Sequence, residues 1–215
     1  MSHSPALKLT NGVVTRANKS LVSDINIEFL LGEINLLTGP NGSGKSTLLL
    51  ALSGEKFLSS GTLELSGIPI AQISKRDQRK NRSLMLQKDE AIDQLKVMDV
   101  LELMDSNTQK LAHISKFISR MVPEEIMAKI ISELSIGQRT RVFLAGAAAQ
   151  DAKLMLLDEP TAGLDIQATT QLATFLLEHV KNGYSVLIAT HDEHLREIAN
   201  REFRIHDKKL TLRNL

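Results

Sequence analysis

An α/β fold, with a mostly parallel sheet flanked by helices, is what this 215-residue sequence predicts. Three observations carry the prediction. A strand-like run, Glu33 to Thr38, enters a glycine-rich loop and continues as a helix over Thr47 to Leu52. Beyond Gln138, helical and all-apolar segments alternate, and strands apolar on both faces belong to a parallel sheet covered on both sides. The N-terminal part offers short strands and turn residues instead, which suits an antiparallel portion.

In chain order, Leu7 to Thr10 and Ile25 to Phe29 read as strands flanking a turn-rich stretch, Thr15 to Ser20. Gly61 to Leu65 and Ser83 to Leu86 read as further strands. Met98 to Glu133 is predominantly helical: Val97, Val100, Leu101 and Met104 recur at i, i+3, i+4 and i+7, so one face is apolar and both Met98 and Met104 are expected to pack in the core. Pro123, Glu124 and Glu125 suit the first turn of another helix, with a preset φ and acids at the positive end of the dipole. Then follow a helix to about Gln150, a buried strand (Leu154 to Leu157), a helix (Ile166 to Lys181), a strand (Ser185 to Ala189) and a helix (Glu193 to Asn200). Glu202 to Leu215 alternates weakly and is read as a terminal strand pair. The expectation is one domain over 1–215 with a small helical lobe at approximately 90–135 inserted in the core.

Composition removes several functional classes. With 26 basic and 25 acidic residues, no whole-molecule field exists to collect nucleic acid or anionic lipid. Aromatics are 3% of the chain, too few for base-stacking platforms, so no nucleic-acid partner is expected. Zero cysteines exclude disulfides and thiolate metal sites, and fit the cytoplasm. The N-terminus does not read as a secretory signal, and the longest apolar stretch, Val142 to Ala149, is too short to span a bilayer. If the protein works at a membrane, other chains hold it there.

The chemistry gathers in three segments. Gly39-Pro40-Asn41-Gly42-Ser43-Gly44-Lys45-Ser46 fits the phosphate-cradling pattern, with Thr47 next in line. Glycines let the backbone turn its N–H groups inward, the following helix adds its positive end, Lys45 would reach the β- and γ-phosphates, and Ser46 would ligate Mg²⁺. Asp158 ends an apolar strand beside that loop and would also hold Mg²⁺, while Glu159 would orient or deprotonate the attacking water. His191 closes the next buried strand, where it can donate to the γ-phosphate. A histidine there is more often structural, but its place in the order of motifs reverses that reading. The third segment, Leu134-Ser135-Ile136-Gly137-Gln138, is of no use to a kinase or a GTPase.

Together these motifs resemble the nucleotide-binding subunit of an ATP-binding cassette (ABC) transporter, a P-loop NTPase of ABC ATPase type with an N-terminal antiparallel β portion, and the match covers nearly the whole chain. The resemblance implies that Gly39 to Thr47 and Gln87 bind ATP, and that Ser46, Gln87 and Asp158 hold Mg²⁺. It further implies that Lys45, Glu159 and His191 are catalytic, that Asp165 belongs to the D-loop, and that Ser135, Gly137 and Gln138 are signature residues completing the site of a second copy. The implied function is ATP hydrolysis that powers a membrane transporter through nucleotide-dependent dimerisation. The implied partners are transmembrane permease subunits and a second nucleotide-binding subunit, most simply in a homodimer, on the cytoplasmic face of the inner (cell) membrane. The alternative is a soluble cassette ATPase of translation or DNA maintenance. Two departures stand out: Ile136 occupies a position where the family usually has Gly, and Leu7 to Ser20 lacks the aromatic that often stacks on adenine. Arg16 falls near that aromatic's position, as a guanidinium that stacks on the base or as an ordinary exposed arginine.

Overall fold

The computed structural model describes residues 5–17, 19–86, 92–105 and 111–215. Its sheet has ten strands among these residues, in the order β5-β4-β1-β2-β10-β9-β3-β8-β7-β6. The parallel part consists of β3 (Ile34–Thr38), β6 (Arg82–Met85), β7 (Leu154–Asp158), β8 (Ser185–Ala189) and β9 (Arg201–His206). The antiparallel part consists of β1 (Leu7–Arg16), β2 (Lys19–Phe29), β4 (Ser60–Leu65) and β5 (Ile68–Pro69). β10 (Lys209–Asn214) runs antiparallel to β9 and meets β2 in parallel at Lys209, so the terminal strand pair joins the two parts.

Alternate residues of the apolar strands serve opposite faces of the parallel sheet. Ile34, Leu36, Met155, Leu157, Val186 and Ile188 enter one hydrophobic cluster. Leu37, Leu154, Leu156, Leu187 and Ala189 enter the other, against Leu48, Leu49 and Leu52 of α1 (Lys45–Ser53) and the buried side of the antiparallel strands. The first cluster is roofed by α5 (Ile136–Ala149) and α6 (Ile166–Lys181), and runs without a break into α3 (Val97–Met104) and α4 (Ala112–Met121) of the helical lobe. Two further short helices are α2 (Lys75–Asn81), beside the edge strand β6, and α7 (Glu193–Glu197), beside α6.

The lobe meets the core through an aromatic and histidine stack. Phe117 of α4 lies flat on Phe175 of α6, ring centroids 3.9 Å apart. Beside them Nε2 of His113 and Nδ1 of His179 are 3.0 Å apart, so one imidazole donates and the other accepts, and His179 stacks on Tyr184 at 4.1 Å. The Tyr184 hydroxyl donates to Asp151 at 2.5 Å and Lys153 stands over the Tyr184 ring. Burial pushes His179 down to about 3, helped by His113 and Lys153, and burial also lowers His113. Both histidines are therefore neutral at neutral pH.

Several expectations are corrected. The stretch Thr15 to Ser20 is mostly strand: β1 runs to Arg16, β2 begins at Lys19, and the reversal is confined to the residues around Ala17, whose φ is +48°. Pro123 does not open an α-helix. It stays extended, and Glu124–Ile126 forms a single 3₁₀ turn. The helix after His191 stops at Glu197 rather than Asn200, because Asn200 is bonded to β3, its N–H donating to Ile34 O and its side chain accepting from Ile34 N–H. Met104 packs against the core, but Met98 is 47% exposed, since it falls on the outer side of α3 beside neither Val97 nor Val100.

Candidate functional site

β3 is buried over Ile34–Leu37 and carries the chain straight into the loop 39–44. Gly39 adopts φ +149°, and a Cβ there would stand 2.7 Å from the Ile205 carbonyl oxygen, so the loop's first position admits no side chain. Lys45 heads α1 with its ammonium folded back into the loop, donating to Gly39 O at 2.8 Å and Pro40 O at 3.4 Å, with His191 Nε2 3.5 Å away. Ser43 Oγ is buried within the loop on the side of Gly39, without a hydrogen-bond partner among the described residues.

A cavity of about 520 Å³ opens over this loop, lined by Asn41, Gly42, Gly44, Lys45, Ser46, Thr47, Asp158 and Glu159, with Arg16 and Leu21 at one side. Asp158 is buried at the carboxyl end of β7. Burial raises its pKa, opposed by the Ser46 hydroxyl bonded to it and by the Lys45 charge. Ser46 and Asp158 form an oxygen-only donor pair of the kind that hard divalent cations prefer. No cluster of three or more His, Asp or Glu side chains suited to a metal occurs among the described residues, so an ion here would complete its shell with phosphate and water. Gln87, expected to contribute, lies outside the described residues. Glu159 has φ +47°, a left-handed conformation costly for a residue with a side chain, held by its N–H donating to Ala189 O at 2.8 Å.

His191 stands on the opposite side of the loop. It lines a second cavity of about 280 Å³ together with Thr38, Gly39, Pro40, Asp192, Arg196 and Glu202. Thr190 accepts from Asp192 N–H, and Asp192 in turn caps α7 through His194 and Leu195 N–H groups, so the segment bearing His191 is fixed at both ends.

The signature segment lies elsewhere. Ser135 caps α5, accepting from Gln138 N–H at 3.2 Å while the Gln138 side chain accepts from Ser135 N–H at 3.1 Å. Neither cavity is lined by Ser135, Gly137 or Gln138. Ile136, beside them, is 73% exposed. Gly137 packs directly on the carbonyl oxygen of Gly163, leaving no room for a Cβ. Thr140 donates to Ala162 O at 2.8 Å and Arg141 pairs with Asp165 at 2.7 Å, so the signature helix is fastened to the loop that follows Glu159. Asp165 also caps α6 through Ala168 N–H.

Within this geometry the sequence relationships are unambiguous, for the ABC transporter family model matches residues 22–162. The chain belongs to the ABC transporter family. It is 37% identical over 184 residues to the cobalt import ATP-binding protein CbiO of Rhodobacter capsulatus, covering 81% of this chain and 65% of that protein. It is 30% identical over 217 residues to an ABC transporter ATP-binding protein of Mycoplasma pneumoniae, 97% of this chain and 64% of that protein. The chain thus spans a little under two thirds of the length of these relatives. Among solved structures, the ATP-binding cassette MJ0796, described as a post-hydrolysis dimer bound to ADP and Pi, superposes with a TM-score of 0.84 at 21% identity over 97% of this chain and 98% of that one. CbiO1 from Clostridium perfringens superposes at 0.76 with 26% identity, over 98% and 88%. The predicted α/β cassette fold is therefore the observed one.

Two features escaped sequence reading. Thr38, Glu202 and Arg196 form a half-buried network at the foot of the phosphate loop, with Thr38 and Glu202 164 residues apart in the chain. Arg82, the first residue of β6, turns inward and donates to Leu52 O at 2.8 Å and Gln78 Oε1 at 3.1 Å. A single charged residue opening a strand gave no local signal of that inward turn.

Proposed function

We propose that the chain, a single cassette domain with its helical lobe inserted, is the ATP-hydrolysing subunit of a membrane transporter and works as a pair of copies. One observation carries the reading. The phosphate loop, Asp158 and Glu159 converge on one cavity and His191 stands 3.5 Å from Lys45, whereas Ser135, Gly137 and Gln138 stand at a helix start outside both cavities. A chain that carries both halves of a site but keeps them apart completes the site with a second copy. In that pair, ATP on Gly39 to Thr47 is capped by the signature of the neighbour. Lys45 neutralises the β- and γ-phosphates, Glu159 orients the attacking water and His191 donates to the γ-phosphate.

Mg²⁺ would be held by Ser46 and Asp158, with Gln87 from the adjoining segment, and when bound it supplies neutralisation of the charge that develops on the phosphates. The cobalt import protein named above, 37% identical to this chain, favours an importer. Among the described residues no helix is long and apolar enough to cross a membrane, so membrane-spanning partner chains carry the cargo. They dock on the cytoplasmic side, in the groove between β6 and the helical lobe, a cavity of about 440 Å³ lined by Leu50, Arg82, Met85, Met104 and Phe143.

Subunit mixing tests the shared site. Lys45→Ala and Ser135→Arg are each expected to abolish ATPase activity alone. A one-to-one mixture should recover about a quarter of the unaltered activity, because half the pairs are mixed and each mixed pair has one intact site. No recovery on mixing would refute the composite arrangement.

A further inference from the structure

Glu202 is a carboxylate at a buried position of the sheet. It lies in β9 immediately before buried Phe203, pairs in register with Leu36, and is itself 5% exposed. Removing a carboxylate from water is costly unless its oxygens are matched. Here both are. Oε1 accepts from the Thr38 hydroxyl at 2.6 Å, and Oε2 accepts from the Arg196 guanidinium at 3.0 Å. Thr38 is the residue before Gly39, the first of the phosphate loop. Arg196 belongs to α7, whose cap Asp192 directly follows His191. The chain Thr38–Glu202–Arg196 thus ties the root of the phosphate loop to the helix that follows His191, across three elements, and it lines the same cavity as Gly39 and His191.

A buried ion pair is a poor source of stability compared with apolar packing, and its use is to fix one geometry among several. The geometry fixed here is the spacing between the loop and His191. We propose that Glu202 is a positioning residue that holds His191 at the γ-phosphate through Arg196 and α7, so that the site distinguishes a triphosphate from a diphosphate. The inference rests on the nucleotide-binding reading above. ADP, held by loop N–H groups and Lys45, does not need the strut, whereas a γ-phosphate does.

The test is the binding of ADP and of the non-hydrolysable analogue AMP-PNP, each with Mg²⁺, to the full chain by calorimetry. Glu202→Gln keeps the shape and an acceptor for Thr38, but releases the charged arm to Arg196. Arg196→Gln cuts the same arm from its partly exposed end, and urea unfolding of both variants checks that the fold is kept. Each is expected to lower the preference for AMP-PNP over ADP about tenfold, the worth of one charge-assisted hydrogen bond, with ADP affinity within about twofold of the unaltered chain. In a His191→Ala background neither should lower it further, and Thr38→Ser should keep the preference. An unchanged preference, an equal loss of ADP binding, or effects that multiply with His191→Ala would overturn the proposal. Hydrolysis by the unaltered chain is measured separately: its absence refutes the ATPase reading, while the ratio of affinities still decides the role of Glu202.

Discussion

The phosphate edge of the sheet and the seam between lobe and core are built from similar materials, buried polar groups among aliphatic strands and helices, yet they are finished differently. At the phosphate edge, groups are left waiting. Ser43 Oγ has no partner among the described residues, Asp158 is buried with its pKa raised, and Glu159 is held at φ +47°. At the seam, polar groups are closed mainly on one another, His113 on His179 and Tyr184 on Asp151, between stacked rings, with only the far nitrogen of His179, Nε2, left unmatched in that cluster among the described residues. The difference is one of access. Asp158 and Glu159 line a cavity that a ligand can enter, whereas the seam's own irregularities, the unmatched His179 Nε2 and the φ of +49° at Asp151, do not line it.

Substitutions at the two regions should therefore separate cleanly, and the largest effect is expected at the phosphate edge. Glu159→Gln should retain nucleotide binding, lose at least about 100-fold in turnover and accumulate a nucleotide-bound dimer by size-exclusion chromatography. Normal turnover would remove the carboxylate from the mechanism and blur the comparison. At the seam the effect should fall on stability alone. Because the folded protein holds His179 far below its ordinary value, the unfolded chain binds more protons as pH falls below about 6.5. The contribution is thus full above that pH and is progressively lost toward about 3. The loss from pH 7 to pH 5 is about 2 kcal/mol, read by urea unfolding, and His179→Phe should flatten that limb. A pH-independent midpoint in the unaltered chain would mean that the seam does not hold its histidines neutral. The smallest effect is expected from Tyr184→Phe, which removes the bond to Asp151. It should cost about 1–2 kcal/mol in unfolding and leave nucleotide affinity unchanged.

The same division explains what could be read from the sequence. The phosphate loop, Asp158, Glu159 and His191 are local patterns, each attached to a strand end that apolar periodicity identifies. The fold followed because β7 and β8 are apolar on both faces and β3 runs into the glycine-rich loop. What stayed hidden depends on residues far apart in the chain. His113 and His179 are 66 positions apart, Thr38 and Glu202 164, and neither pair leaves a periodic trace. The seat of Gly137 on Gly163 is equally non-local. Local misreadings had local causes: Pro123 suits an extended residue as well as a helix start, and the helical repeat that put Met98 with the core face did not register that it trails Val97 by a single position.

One consequence follows from Lys45. Its ammonium rests on the Gly39 and Pro40 oxygens, largely out of water, held by the chain's own backbone. An incoming polyphosphate exchanges one set of oxygens for another around a cation that is already dry. The dehydration of that charge is incurred once, as the polypeptide folds, and is not repeated each time the machine fires.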